Sequence, residues 1–344
     1  MKALVAERPG PPEVLRWTDV PEPTLGPGQL LLRVRAMSVN RADVLQRLGR
    51  YPPPKGVTEV PGLEAAGEVL ALGPGVNSPE ASPADTWRTG DLAMALLAGG
   101  GHAERVAVDA RHCLRVPASV GLPAAGGLME VFVTAWLNLV EVGRLVAGER
   151  LLVHGGAGGV GTAALQVARL LGARVWATAR KEKLDRVRAL GATAIDHEAE
   201  DLGGTPAAAP KSQGTDFVAT LRAAGGADLV LDIMGAKYLA RNLEALADDG
   251  RLVVIGLQGG LSAELPLGQL LARRLTVAGS TLRALSADRK AAVIARAGAR
   301  LLPAFEAGEL RVVVDRVMPI ERAGEAHALV ESYGNVGKVL LEVP

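Results

Sequence analysis

The stretch "RLLVHGGAGGVGTAALQVARLLGA", Arg150 to Ala173, decides the fold. A short apolar run, Leu151 to Val153, ends in glycines, and Gly156-Ala157-Gly158-Gly159-Val160-Gly161 then forms G-x-G-x-x-G before apolar residues at helical spacing. Strand, glycine turn and helix are the context in which this pattern is informative. Glycines permit the tight turn and a close approach of backbone to a pyrophosphate, whose charge then sits at the helix N-terminus.

Moving outward, the same grammar repeats in "ARVWATA" with "KEKLDRVRALG", "ATAID", "ADLVLDIMG" with "YLARNLEALADDG", then "RLVVIGL" and "LTVAGSTL". Each parallel crossover needs a helix to return the chain, so the pattern predicts a doubly wound α/β domain over residues 124–303. Gly172, Gly191 and Gly250 fall where helix C-caps belong, and "AAGGLMEVFVTAWLNLVEV" reads as a helix leading in. An NAD site carries an acid at the end of the second strand. Here Thr178-Ala179-Arg180-Lys181 stands there, with Lys183 just beyond. Arg180 and Lys183 favour the 2′-phosphate of NADPH.

The flanks read differently. "LLLRVRAMSV", "EAAGEVLALG" and "HAERVAVDA" are strand-like, and after the helical "SADRKAAVIARAGARLLPAFEAG" the strand grammar returns in "LRVVVDRVMP" and "GKVLLEV". The chain therefore builds a β-rich domain over 1–123, leaves it, and completes it over 304–344. "GVNSPEASPADTWRTGD" and "GGTPAAAPKSQGTD" read as surface loops.

At 344 residues, 49% hydrophobic, with net charge +1, the composition fits a globular protein without a basic field for nucleic acid or membrane. Its single cysteine, Cys113, excludes an internal disulfide and suits a reducing compartment. With no signal-like or membrane-spanning run, a cytoplasmic location is expected. Zinc alcohol dehydrogenases combine a β-rich domain with such an α/β unit and need Cys, His and carboxylate ligands. The histidines His102, His112, His154, His197 and His327 show no ligand spacing, and no nucleophile elbow is present. No metal is expected, and chemistry runs on the nicotinamide.

The chain resembles the zinc-independent quinone oxidoreductases, the zeta-crystallin group of the medium-chain dehydrogenase/reductase superfamily. The resemblance runs through "GPPEVLRW", "NRADVLQRLGRYPPPKG", "PGLEAAGEV", "HGGAGGVGTAALQVAR", "LGATAIDH" and "NVGKVLLEV". Within the group, "AMALLAGGG" and "NRADVLQRLGRYPPP" are similar to the tumour-suppressor-inducible members. The resemblance implies an α/β protein: a GroES-like catalytic domain, an inserted Rossmann domain, a cleft between them, and a homodimer joined by Rossmann edge strands such as "LTVAGST". It implies NADPH-dependent reduction of quinones, or alternatively of enones or enoyl thioesters, with non-catalytic NADPH binding as a further possibility.

Position by position, the resemblance places Asn40 and Tyr51 near the nicotinamide and the substrate, supported by Asp43 and Gln46, and Thr134 at the nicotinamide end. It places Gly158, Gly159 and Val160 at the pyrophosphate and Lys183 at the 2′-phosphate. His197 stands where the family often has an adenine-stacking tyrosine. Gly256, Leu257, Asn335 and Gly337 match further cofactor-lining positions. In "PGLEAAGEV", Leu63 replaces the histidine that a zinc enzyme carries before the glutamate.

Overall fold

The computed structural model describes residues 1–78, 86–197 and 216–344. The expected loop at 203–216 lies outside these residues except for Asp216, as does the middle of the expected loop at 75–91. By internal packing the chain divides into two units, Met1–Val133 with Leu282–Pro344, and Thr134–Thr281.

The first unit begins with the antiparallel pair β1 (Lys2–Ala6) and β2 (Leu15–Asp19), followed by β3 (Gln29–Val39) and the short helix α1 (Arg41–Arg47). Then come β4 (Glu64–Leu72), β5 (Leu92–Leu96), β6 (Arg105–Asp109), β7 (Cys113–Arg115), α2 (Leu122–Ala125) and α3 (Met129–Trp136), whose last turn already belongs to the second unit. The eleven residues of β3 pair antiparallel with both β4 and β6. Leu30, Leu32, Val34 and Met37 of β3 are fully buried in a core shared with Val44, Val69 and Trp87. Burial alternates along Leu30, Leu32 and Val34 and becomes continuous over residues 36–39.

The second unit is a six-stranded parallel sheet. Its strands are β8 (Arg150–Val153), β9 (Arg174–Ala179), β10 (Thr193–Asp196), β11 (Ala227–Asp232), β12 (Leu246–Val254) and β13 (Thr276–Gly279). They are ordered β10-β9-β8-β11-β12-β13, the doubly wound arrangement with β13 at the edge. The described helices of this unit are α4 (Gly159–Leu170), α5 (Leu184–Ala189), α6 (Phe217–Ala223), α7 (Leu239–Ala245) and α8 (Leu267–Arg273). The chain then returns to the first unit through α9 (Ala287–Glu306), β14 (Val314–Pro319), α10 (Ala323–Glu331) and β15 (Lys338–Glu342). There β15 pairs with both β14 and β3, so the chain's end is built into the sheet of its beginning.

Three expectations need correction. The division falls at 133/134 and 281/282, where the sequence suggested 123/124 and 303/304. The reason is α9: Arg111 reaches Asp288 at 2.7 Å, His112 bonds the Ala287 carbonyl at 2.9 Å, and Phe305 packs edge-on against Phe132 at 4.8 Å. The segment read as one helix from Ala124 is broken, with α2 and α3 followed by a π-helical turn over Leu137–Val142. Helix α7 stops at Ala245, where Leu246 turns extended (φ −63°, ψ 150°) and opens β12, so Gly250 caps no helix. Gly172 and Gly191 do adopt the left-handed conformation expected after α4 and α5.

Among the described residues no helix is long and apolar enough to cross a membrane.

The core of the first unit holds His327, fully buried, edge-on to His102 at 5.9 Å and with neither ring nitrogen hydrogen-bonded. Burial, reinforced by His102 and Arg47, holds its pKa well below the ordinary value. The folded state thus binds fewer protons at this site than the unfolded chain, so its contribution to stability is lost as pH falls below about 6.5. Relative to wild type, His327→Leu is expected to gain up to about 1.4 kcal/mol per pH unit below that point, read from urea midpoints across pH. A difference independent of pH would contradict this.

Candidate active site

In the second unit the glycine turn joins β8 to α4. Gly156 N–H donates to the Thr178 carbonyl at 2.9 Å, which ties the turn to the end of β9. A Cβ at Gly161 would lie 2.2 Å from the Gly155 carbonyl oxygen, so the first turn of α4 packs this closely only with glycine there. Gly158 is different. It caps α4 with an ordinary φ of −75°, and a Cβ would meet only the Gly155 oxygen, at 3.4 Å. Neither backbone conformation nor internal packing demands glycine at 158, and its lack of a side chain leaves the helix N-terminus open to the close approach of a ligand.

His154, just before the turn, is buried. It bonds Thr178 Oγ1 through Nδ1 at 3.1 Å and Asn242 Oδ1 through Nε2 at 2.7 Å, between the rings of Phe217 and Tyr238. Burial lowers its pKa to about 4, the Asn242 hydrogen bond opposing. It is a neutral support for the turn. At the end of β11, Asp232 accepts from Met234 N–H and Gly235 N–H, both at 2.8 Å, and burial raises its carboxyl to about 6.

The other residues expected at the cofactor in this unit lie at the same ends of the strands. Gly159 and Val160 open α4, and Arg180 follows β9, half-buried. His197 follows β10, its N–H on the Ala179 carbonyl at 3.2 Å. Gly256 follows β12, its backbone packed on Ile233. Lys183 is buried in the turn after Arg180, whereas Leu257 is 48% exposed. Thr134 lies on α3, its carbonyl accepting from Asn138 Nδ2 at 2.8 Å.

In the first unit a buried ion pair organises the candidate residues. Lys338 Nζ lies 2.9 Å from Glu64 Oε1 and donates to Asn40 Oδ1 at 2.6 Å. The same Glu64 oxygen accepts from Ser38 Oγ at 2.5 Å and Asn40 Nδ2 at 3.1 Å, while Oε2 accepts from the Glu130 N–H at 2.9 Å. Asn40 Nδ2 also reaches Ser38 Oγ at 3.3 Å, so both amide hydrogens are used. Asp43 accepts from the N–H groups of Asn40 (2.8 Å) and Gly62 (2.9 Å), fixing the start of α1. Asn335 donates to the Gly337 carbonyl at 2.6 Å, shaping the turn that delivers Lys338. Gly337 is required there, at φ +73° and with the Val313 carbonyl oxygen 2.1 Å from any Cβ.

A second cluster surrounds Tyr51. The Arg283 guanidinium stacks over the Tyr51 ring at 5.1 Å, donates to the Ala98 carbonyl at 2.7 Å and to Gln46 Oε1 at 2.7 Å, and reaches the Tyr51 carbonyl at 3.4 Å. Gln46 spends its other end on the Glu59 carbonyl at 2.9 Å. Gln46 therefore works as a strut for the Tyr51 segment. Lys290 of α9 is buried and donates to the Arg283 carbonyl at 3.3 Å, and burial lowers its pKa. Glu130 is half-buried at the start of α3, and burial followed by the charge of Glu64 pushes its carboxyl up to about 8.

Sequence reasoning missed Glu64, Lys338, Arg283, Lys290 and Glu130. A lysine inside the apolar "GKVLLEV" was the available signal for Lys338, since a buried strand carries an ammonium only opposite a partner.

The donor set does not fit a catalytic zinc. Leu63 precedes Glu64, Cys113 is buried with its Sγ near the Asp109 carbonyl at 3.7 Å, and Glu64 is taken by Lys338. Among the described residues no group of three or more His, Cys, Asp or Glu is placed to hold a metal. The glycine turn, by contrast, fits a dinucleotide.

A doubly wound sheet with a pyrophosphate turn, carried in one chain with a GroES-like sheet domain, defines a nicotinamide-dependent oxidoreductase. Residues 159–297 match the family described as zinc-binding dehydrogenase, and residues 26–144 match the alcohol dehydrogenase GroES-like domain. The chain belongs to the medium-chain dehydrogenase/reductase superfamily. It is 31% identical over 341 residues to the human synaptic vesicle membrane protein VAT-1 homolog, covering 93% of this chain and 80% of that protein. It is 35% identical over 342 residues to the pikromycin polyketide synthase component PikAII of Streptomyces venezuelae, covering 98% of this chain but 8% of that one. Among solved structures, mycobacterial Rv1454c complexed with NADPH superposes with a TM-score of 0.84 at 29% identity, covering 100% of both chains.

Removing one partner of a buried ion pair strands the other charge. Lys338→Met is expected to cost about 3–5 kcal/mol in urea unfolding, and the double change with Glu64→Gln distinctly less than that. Additive losses would show that the two groups do not act as a pair.

Proposed function

We propose that this protein is a zinc-independent NADPH:quinone oxidoreductase of the zeta-crystallin type, related to the tumour-suppressor-inducible members. The observation that carries the cofactor reading is the glycine turn between β8 and α4, where Gly158 caps the helix with no side chain in the way of an approaching ligand. The absence of an acid at the end of β9, with Arg180 in its place, favours a 2′-phosphate. The NADPH complex of Rv1454c supports the same choice.

Bound NADPH supplies the hydride. The backbone at Gly158, Gly159 and Val160 would hold the pyrophosphate, Arg180 with Lys183 the 2′-phosphate, His197 the adenine end, and Thr134 the nicotinamide end. Asn40 would stand beside the carboxamide, its amide plane fixed by Lys338 and Glu64. Tyr51, locked by Arg283 and by Pro52-Pro53-Pro54, would donate to the quinone oxygen that gains charge. A quinone already accepts hydride readily, so positioning rather than a Lewis acid does most of the work. The net charge of +1 fits a small-molecule substrate better than nucleic acid, and the buried lone Cys113 suits the cytoplasm.

The test is NADPH and NADH oxidation against a panel of ortho-quinones, para-quinones and enones. Quinone turnover preferring NADPH is expected. Tyr51→Phe should lower kcat/KM about tenfold, and Arg180→Ala should cut the NADPH preference about tenfold. Turnover confined to enones would favour the enone reductase reading, and NADPH binding without turnover a non-catalytic one.

The proposed assembly is a homodimer through the edge of the parallel sheet. Leu257, Leu261, Leu265, Leu267, Leu271 and Val277 are exposed by 36–83%, all within a short segment that includes α8 and the edge strand β13. An apolar edge of this kind calls for a cover. Leu271→Glu is expected to shift the molar mass in light scattering from dimer toward monomer, and a wild-type monomer at micromolar concentration would refute the assembly.

A further inference from the structure

We propose that Thr178, His154, Asn242 and Asp232 form a buried brace across the middle of the parallel sheet that positions the nicotinamide-cofactor site from both sides. This rests on cofactor binding by the second unit and not on the choice of hydride acceptor. All four residues belong to that unit and are at most 2% exposed. Strands β8 and β11 run side by side where the strand order reverses, and the His154 N–H reaches the Leu231 carbonyl at 3.0 Å at the end of their ladder. Beyond that bond the strands part, β8 into the glycine turn and β11 into the loop before α7. In a doubly wound sheet the ligand binds at these carboxyl ends, where the order reverses.

Side chains continue the crossing where the backbone ladder stops, and the direction of each bond follows from its ends. The Asn242 amide draws Asp232 toward its ionised form, and a carboxylate can only accept, so Asn242 presents Nδ2 to Asp232 and Oδ1 to His154. The contact to Asp232 is the long one, since Nδ2 meets no acceptor in ordinary hydrogen-bond geometry among the described residues. Oδ1 at 2.7 Å requires the proton on His154 Nε2, which leaves Nδ1 to accept from the Thr178 hydroxyl at 3.1 Å. The same hydroxyl oxygen accepts from the Gly155 N–H at 3.3 Å, inside the glycine turn. Every donor thus points toward Asp232, the arrangement in which successive bonds polarise one another. At the far end the two Asp232 oxygens accept from the Met234 and Gly235 N–H groups, both at 2.8 Å, and so set the loop after β11. That loop carries the next one: Gly259 N–H donates to the Met234 carbonyl at 2.7 Å, Gln258 N–H to that of Ile233 at 3.1 Å, and Ala236 N–H to that of Gly260 at 3.2 Å. Gly235 has φ +72°, and a Cβ there would lie 2.9 Å from the Gly260 oxygen, so the two loops pack closely. The four side chains are positioning residues, acting on the site through the backbone of the glycine turn and of these loops.

Thr178→Val removes the hydroxyl at one end of the brace and keeps its shape. Hydrogen exchange of the cofactor-free, full-length protein should then show the Met234 and Gly235 amides exchanging about tenfold faster than in wild type, although Thr178 bonds neither. Fluorescence titration should show NADPH bound about tenfold more weakly, and Thr178→Ser should restore both readings. Asp232→Asn, at the other end, should weaken NADPH by a similar factor, and the double variant by clearly less than the product of the two losses, because one brace is broken once. Unchanged exchange at Met234 and Gly235 in Thr178→Val, or unchanged NADPH affinity, overturns the proposal without recourse to the Asp232 variant. So do losses that multiply in the double variant, which mark two independent local supports. In each of these cases the cofactor reading stands. A wild-type protein that binds neither NADPH nor NADH overturns that reading and the brace with it.

Discussion

The first unit depends on one buried ion pair. Lys338 and Glu64 are far apart in the chain and stand on β15 and β4, the strands that flank β3, so their contact spans three strands of the sheet. A pair this deeply buried is kept only when the leftover donors and acceptors are satisfied. Ser38, Asn40 and the backbone of Glu130 do that. Positioning the candidate residues is thus a by-product of satisfying a charge. Asn40 is oriented because Glu64 and Lys338 grip its two ends, and the start of α3 is anchored because its N–H completes Glu64. Here an amide oxygen and a carboxylate are gathered around an ammonium, and a hydroxyl completes the carboxylate.

The second unit obeys a steric rule. Parallel strands need helical crossovers, and the first crossover can begin against the sheet only because Gly161 carries no side chain. In the same turn a Cβ at Gly158 would meet only the Gly155 oxygen among the described residues. His154 supports the turn from beneath as a neutral imidazole held by Thr178 and Asn242. Packing and cofactor recognition are therefore written into adjacent glycines for separate reasons.

The tyrosine cluster shows how supporting residues escape a linear reading. Gln46 and Tyr51 lie in one polar stretch, Tyr51 expected near the nicotinamide and Gln46 in support of it. Gln46 turns out to spend both ends on Arg283 and the Glu59 carbonyl. The guanidinium that fixes Tyr51 comes from more than 200 positions away in the sequence. No spacing rule connects them. The same holds for α9, whose helical periodicity was plain but whose packing partners, Arg111, His112 and Phe132, could be known only from the folded chain.

What the sequence by itself determined is whatever is periodic or local. The parallel sheet, the pyrophosphate turn, the return of the chain into the β-rich domain and the missing acid after β9 all follow from short-range patterns, because helices, strands and glycine turns are decided by near neighbours. Tertiary structure decided where α9 belongs, where α7 yields to β12, and which polar residues touch. Lys338 with Glu64 and Arg283 with Tyr51 are matters of charge satisfaction in a low-dielectric interior. That balance depends on every group brought within a few ångströms, and only the closed chain brings them there.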